Sequence, residues 1–288
     1  DIKLACVSLI NWNMAYAQND GDEYMLSNGV VEQAVTEVDN ELMADTSVFD
    51  AATRNGANYI YLQYPYRVNS FDSYVPYGAA NYSNQNADKY LDSLRASGAT
   101  VLDLRKELAS IGWDLHDGYY LTDKHWKTDS GFVAAGVISK YLSDNYEGFV
   151  YHPEYHDKSS YDIKTIDLNN PMIRECVNLY FPKFEVKLRY ICLEDEKEED
   201  IELLGGFPDT IFDVTKIESG RFSNVLTAYS TSRVGESFLT ETKNELDYDH
   251  SGTVLYISNS FSWHIIPYLV LDCDKVVFLH IDAIEIGR

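Results

Sequence analysis

Two short segments hold residue types able to do nucleophilic chemistry. In Tyr119-Tyr-Leu-Thr-Asp-Lys-His-Trp126, one residue separates Asp123 from His125, so in an extended loop their side chains leave the backbone on the same side. A carboxylate beside one imidazole nitrogen fixes the tautomer and stabilises the imidazolium, which prepares a histidine to act as a base. Spacing alone favours a plainer reading, a surface Asp and His that happen to be close. The second segment, Ser258-Asn-Ser-Phe-Ser-Trp-His264, follows an apolar run at 253–257 and precedes Ile265-Ile-Pro-Tyr-Leu269. A serine on a tight strand-to-helix turn stands at the carboxyl edge of a parallel sheet. There it lies near backbone N–H groups that can stabilise an oxyanion, at the edge where open α/β sheets take ligands. Read without a partner, these Ser and Asn side chains serve equally well as capping residues.

Other polar groups carry less. His152 and His156 are four apart, but Pro153 between them disfavours the helix that would align them, and no carboxylate set accompanies them, so no metal is expected. His116 beside Asp114 and Asp117 reads as a polar loop. The 23 tyrosines, dense in residues 59–90 and 141–161, are placed by ordinary packing and loop filling, an aromatic lining for sugar rings being the alternative. Asn81-Tyr-Ser83 fits a glycosylation sequon, which means little if the source is bacterial. Four cysteines (Cys6, Cys176, Cys192, Cys273) lie far apart without CxxC spacing and read as isolated buried thiols, with a Cys176–Cys192 disulfide the alternative.

Positioning such residues requires a scaffold, and the flanking patterns describe one. Residues 58–63 form a β-rich run between Asn55-Gly56 and Pro65, a buried strand. Residues 30–54 alternate apolar and acidic positions at helical spacing (Val31, Val35, Val38, Leu42). Residues 64–84 make a Tyr/Asn/Ser-rich loop long enough to build a site. A short amphipathic helix follows at 87–96, stopped by Gly98, and then a strand at 100–104. Residues 128–143 give a second helix with Phe132, Ala135, Val137, Ile138, Tyr141 and Leu142 on its apolar stripe, capped by Thr128 or Asp129. Strands at 253–257 and 276–280 bracket a further helix. Strand, helix, strand at these spacings predicts a parallel α/β sheet. Residues 146–250 lack periodic patterns and are expected to form a loop-rich insertion or subdomain within a single domain spanning 1–288. Their acidic run at 194–200 reads as a solvated loop.

Composition bounds what this scaffold can do. Its 288 residues carry 23 Lys+Arg against 46 Asp+Glu, a formal charge of −23. That balance lacks the basic footprint a phosphate backbone needs, so no nucleic-acid partner is expected. Hydrophobic residues at 45% and aromatics at 14% support a large core rather than disorder. No apolar run approaches the roughly 20 residues that span a bilayer, so a soluble chain is expected. The sequence opens at Asp1 without Met or a leader, which suggests a processed product whose N-terminal signal or anchor has been removed.

Taken together the segments resemble a known family. Thr122-Asp-Lys-His-Trp-Lys-Thr-Asp-Ser-Gly-Phe132 is similar to the signature of the DHHW proteins, with Lys124 in place of the first His. These proteins are relatives of the SGNH-hydrolase-like domains of alginate O-acetyltransferases. Ile257-Ser-Asn-Ser-Phe-Ser262 resembles their strand plus nucleophile turn and is followed by a similar Pro-Tyr-Leu. The strand ending Gln63-Tyr-Pro-Tyr-Arg67 and the unit at 84–104 resemble further elements, and the likeness spans most of residues 24–282, loosest in the middle third. Two departures stand out. Ser258-Asn259 replaces the usual Gly-Asp or Lys-Asp before the serine, and the chain reaches Arg288 soon after the last strand, suggesting a shorter sheet or a compact form.

The resemblance implies a three-layer α/β/α, flavodoxin-like parallel sheet of SGNH-hydrolase type. The triad order Asp, His, Ser is circularly permuted relative to ordinary SGNH esterases. It further implies Ser260 as nucleophile, His125 as general base and then acid, and Asp123 as the orienting carboxylate. The Ser260 N–H would donate to an oxyanion, with Arg67, Trp126 and Asn259 as substrate-binding positions and no cofactor. The implied activity is serine-dependent O-acyl transfer or ester hydrolysis at O-acetyl groups of an extracellular or cell-envelope polysaccharide, or on a small acyl ester, outside the cytoplasm. A membrane acyl-donor protein is an implied partner. The alternative is a degraded site in a module that binds cell-surface glycan, its support being Asn259 where relatives carry Asp.

Overall fold

Asn55-Gly56 ends one helix and Pro65 ends the strand that follows, so the run between them folds as β3 (Ile60–Gln63), which among the described residues follows β1 (Glu23–Met25), β2 (Val31–Gln33) and α1 (Ser47–Arg54). The computed structural model describes residues 23–26, 31–37, 46–68, 75, 79, 81–168, 175–193, 201–220, 222, 224–246 and 251–286. They belong to two compact units, residues 1–116 and 117–288.

In the first unit β3 pairs in parallel with β4 (Thr100–Asp103), from Ile60↔Thr100 to Gln63↔Asp103. The crossover between them is α2 (Ser83–Ala96), which starts earlier than the pattern at 87–96 suggests and ends at Gly98, whose φ of 90° suits only glycine. Leu91 and Leu94 on α2 are fully buried with Ala99, against Phe49, Tyr59, Tyr61 and Tyr90; each such leucine contributes about 1.5–3 kcal/mol over an exposed one. Asp103 caps α3 (Leu104–Ser110) by accepting from the Arg105 N–H. Its two oxygens also take the Arg105 guanidinium at 2.8 Å each, while Asp88 and Asn84 take the remaining donors. Burial pushes the Asp103 carboxyl up, but these bonds win and hold it below the usual carboxylate range.

The helical reading of residues 30–54 is half right. Among the described residues of that stretch only Ser47–Arg54 is helical; Val31–Gln33 pairs antiparallel with Glu23–Met25. The β-branched Val31 and Val35 suit a strand, and a short alternating run fits either period. Val38 and Leu42 lie outside the described residues, as do residues 69–74, 76–78 and 80 of the expected 64–84 loop.

The second unit begins with α4 (Thr128–Asn145). Its inner face carries Phe132, Ala134, Ala135, Ile138 and Leu142. Phe132 stacks on Tyr180 at 4.7 Å between ring centres and meets Tyr161 and Tyr268 edge-on at 5.1 and 4.9 Å. Much of the tyrosine content is therefore core.

The chain is α/β, as its patterns indicate. Among the described residues, parallel strands pair at β3–β4 and at β10 (Thr253–Ser258) with β11 (Lys275–His280), beside one isolated parallel bridge, Val35↔Asn81. Beyond β11 the five-stranded sheet runs antiparallel through β9 (Leu239–Asn244), β7 (Leu188–Leu193) and β8 (Ile201–Gly205), in the order β10-β11-β9-β7-β8. The middle stretch expected to be loop-rich thus supplies three strands of this sheet, and β5 (Tyr161–Asp167) with β6 (Cys176–Pro182) as a separate antiparallel ribbon. β9 escapes a hydrophobic pattern search because its inward residues are Thr240, Thr242 and Asn244. Residues 194–200 lie outside the described residues.

Cys176 is an exposed thiol, and Cys192 and Cys273 are buried thiols; Cys6 lies outside the described residues. Among the described residues no helix is long and apolar enough to cross a membrane.

Candidate active site

Residues 119–126 form a tight loop closed by a Tyr119↔Trp126 bridge, with the Tyr120 N–H donating to the His125 carbonyl at 3.2 Å. Within it Asp123 and His125 meet through a turn rather than through an extended backbone. Asp123 Oδ1 accepts the His125 backbone N–H at 2.8 Å, the bond of an Asx turn, and the same oxygen accepts from the ring Nδ1 at 2.5 Å. The one-residue spacing therefore serves both bonds. With Nδ1–H committed to the carboxylate, Nε2 is left as the acceptor.

Across from it, β10 ends at Ser258 and the chain turns at once into a 3-10 helix, Ser260–His264. Asn259 stands at its N-cap in extended conformation, and its Oδ1 accepts the Phe261 N–H at 3.1 Å. Ser262 closes the turn by donating its hydroxyl to the Asn259 carbonyl at 2.8 Å. Half-buried Ser260 then lies with Oγ 2.6 Å from His125 Nε2. The tertiary fold thus joins Asp123, His125 and Ser260 in one hydrogen-bonded chain across 135 residues of sequence. The N–H of Ser260 opens the helical turn and so has no carbonyl partner inside it.

The pairing rests on packing from three sides. The rings of Tyr229 and Phe261 flank the His125 imidazole at 5.0 and 5.1 Å. Trp126 donates its indole N–H to the Phe261 carbonyl at 2.9 Å. Expected to touch substrate, Trp126 is instead wholly buried and ties the His loop to the Ser turn. Gly131 lets α4 approach the same turn: a Cβ there would sit 2.8 Å from the His264 carbonyl oxygen. His264 is itself completely buried, which lowers its pKa to about 4, so it stays neutral and donates Nε2–H to the Tyr229 carbonyl at 3.0 Å.

Neither Thr128 nor Asp129 caps α4; Lys127 holds the N-cap position without a side-chain bond. Both side chains reach β6 instead. The Thr128 hydroxyl donates to the Asn178 carbonyl at 2.5 Å, while Asp129 accepts from Tyr180 Oη, from Asn178 Nδ2 at 3.1 Å and from Lys158 Nζ at 3.0 Å. Burial opposes ionisation of Asp129, yet these donors hold its carboxyl below the usual range.

Arg67 lies in the unit of residues 1–116, where it pairs with Glu32 at 3.0 Å. His152 and His156, for which the sequence offered no carboxylate, both bond Asp272, at 2.9 and 2.5 Å. Among the described residues no three His, Cys, Asp or Glu side chains converge as a metal-ligand set. Tyr229 is the functional neighbour that sequence reading missed; nothing local marks it, because its ring is placed by a fold contact 104 residues from His125.

Asn259 keeps the turn that an Asp would keep, since the Asx cap needs only a side-chain oxygen. Asn259→Asp is expected to leave the thermal midpoint unchanged, and Asn259→Ala to lose about 1 kcal/mol in denaturant melts. Equal losses for both would show that the cap is idle.

Comparison with known proteins shows what the chain is similar to. A family model described as ALGX, the SGNH hydrolase-like domain of acetyltransferase AlgX, matches residues 25–160, which include the Asp123–His125 motif. PatB1 of Bacillus cereus, in a structure with a sulfonyl adduct, superposes with a TM-score of 0.66 at 13% identity, covering 92% of this chain and 87% of that one. A DHHW family protein of Eubacterium siraeum superposes with a TM-score of 0.55 at 14% identity, covering 90% and 85%. At such identities the likeness is one of fold. No curated protein matches the chain. The DHHW and SGNH-hydrolase-like resemblance drawn from the two motifs is borne out.

Proposed function

We propose that this chain is an SGNH-like serine enzyme that moves or removes O-acetyl groups on an extracellular or cell-envelope polysaccharide. The observation that carries the reading is the Ser260 Oγ to His125 Nε2 distance of 2.6 Å, with Asp123 on the far side of the ring. Ser260 attacks the acyl carbonyl while its proton passes to His125, and Asp123 stabilises the resulting imidazolium. The N–H of Ser260 faces the developing oxyanion. Collapse expels the donor alcohol, which takes the proton back from His125 and leaves an acyl-Ser260 ester. A sugar hydroxyl or water then attacks that ester, with His125 again as base, and frees the serine. Asn259, exposed beside the nucleophile, brings an amide rather than a second carboxylate, so no negative charge opposes the oxyanion there. The site acts outside the cytoplasm, and its acyl donor is an ester presented by a membrane-associated partner or a small acyl ester.

A degraded glycan-binding module would leave the serine and histidine side chains turned apart, and the short contact favours chemistry. The test is covalent capture. Phenylmethylsulfonyl fluoride or a fluorophosphonate is expected to add one adduct to the intact protein by mass spectrometry, to stop p-nitrophenyl acetate turnover, and to leave Ser260→Ala unmodified. Labelling that persists in Ser260→Ala removes the nucleophile. Transfer is distinguished from hydrolysis by adding an oligosaccharide acceptor and looking for its acetylated mass.

A further inference from the structure

Glu175 sits one residue before β6, its carbonyl accepting the Leu168 N–H at 3.1 Å, so the backbone beneath it is the closing rung of the β5–β6 ribbon. From that base its carboxylate reaches the His125 loop. One oxygen accepts the Leu121 N–H; the other accepts the Thr122 N–H, at 3.1 Å, and the Thr122 hydroxyl. Three donors on two consecutive residues thus converge on one carboxylate, immediately before Asp123. Both anchoring N–H groups belong to the loop's tip, which otherwise is held at its base by the Tyr119↔Trp126 bridge and the Tyr120–His125 bond. A charged acceptor of this kind makes stronger bonds than a neutral one, and a peptide fixed at residues 121 and 122 fixes the direction in which the Asp123 side chain departs.

We infer that Glu175 is a positioning residue: its carboxylate clamps the tip of the 119–126 loop and so sets the Asp123–His125 pair against Ser260. The inference rests on the acyl-transfer reading of that triad, but its first readout does not. The ring proton of His125 on Nδ1, shared with Asp123 at 2.5 Å, should give a proton NMR line downfield of the amide envelope, assigned by its loss in His125→Gln. Glu175→Gln turns an amide NH2 toward donors and cannot accept all three bonds; Thr122→Val removes one, and Thr122→Ser restores it.

The expected result is a line that broadens or vanishes in Glu175→Gln, weakens in Thr122→Val and returns in Thr122→Ser. In parallel, kcat for p-nitrophenyl acetate falls by about ten- to a hundred-fold in Glu175→Gln with KM little changed, since displacement of a catalytic group by about 1 Å costs on that order. Thr122→Val follows in the same direction and Thr122→Ser does not. If Glu175→Gln fails to fold, the Thr122 pair decides alone. A wild-type line and wild-type kcat in folded Glu175→Gln or Thr122→Val overturn the clamp while leaving the acyl-transfer reading intact. A line that responds as expected in a protein without turnover does the reverse.

Discussion

His125→Gln is expected to lower turnover of an acyl ester by on the order of 10⁵-fold or more while the protein stays folded. The glutamine fills much of the volume between Tyr229 and Phe261, whose rings flank the imidazole at 5.0 and 5.1 Å. It can accept a hydrogen bond from Ser260, but an amide is far too weak a base to take the proton as Oγ attacks. On the proposed route the same group must also return that proton to the leaving alcohol, so both halves of the cycle fail together. Stopped kinetics with p-nitrophenyl acetate, alongside a thermal melt, decide the matter. A variant retaining more than about a tenth of wild-type kcat would mean that another group is the base.

Asp123→Asn is expected to cost about 10⁴-fold in kcat, with a much smaller effect on stability. The asparagine oxygen can still accept the His125 backbone N–H, so the Asx turn survives. Two outcomes are open to the ring, and both are poor. If the amide oxygen faces Nδ1–H, the geometry holds but the countercharge for the imidazolium is gone. If the amide NH2 faces Nδ1, the ring proton is driven to Nε2 and Ser260 loses its acceptor. Steady-state kinetics and the His125 ring-proton line separate these cases: the line survives in the first and disappears in the second. An Asp123→Asn protein with near-normal kcat would reduce the carboxylate to a turn-maker. The two substitutions should also combine non-additively, because residues that act as one unit lose their effect together.

Elements of the fold differ in how legible they are in the sequence. The strand at 253–257 and the helix at 128–143 are legible nearly to their ends, because continuous apolar runs and wide 3.6-period stripes leave few alternatives. β2 fits a helical spacing as well as a strand, because three residues cannot establish a period. β9 was invisible because Thr240, Thr242 and Asn244 occupy its inward positions. Thr128 and Asp129 have the side chains of caps, and Asn178 and Tyr180 on β6, with Lys158 for Asp129, draw them elsewhere.

The residue types of the candidate site, and the one-residue step from Asp123 to His125, are properties of the sequence. An Asx turn is local, and it needs nothing beyond that step to bring carboxylate and imidazole together. The cap that Asn259 gives to Phe261 is local in the same sense. Whether Ser260 would meet His125 was decided by long-range packing: the parallel placement of β10 beside β11, the close approach of α4 at Gly131, and the Trp126 bond to the Phe261 carbonyl. Contacts between residues more than a hundred positions apart depend on the loop-closure cost and burial of the whole unit, which no window of sequence contains. Tyr229, 104 positions from His125, is a neighbour of the site for that reason, and Glu175 reaches Thr122 across 53 positions by the same kind of long-range packing.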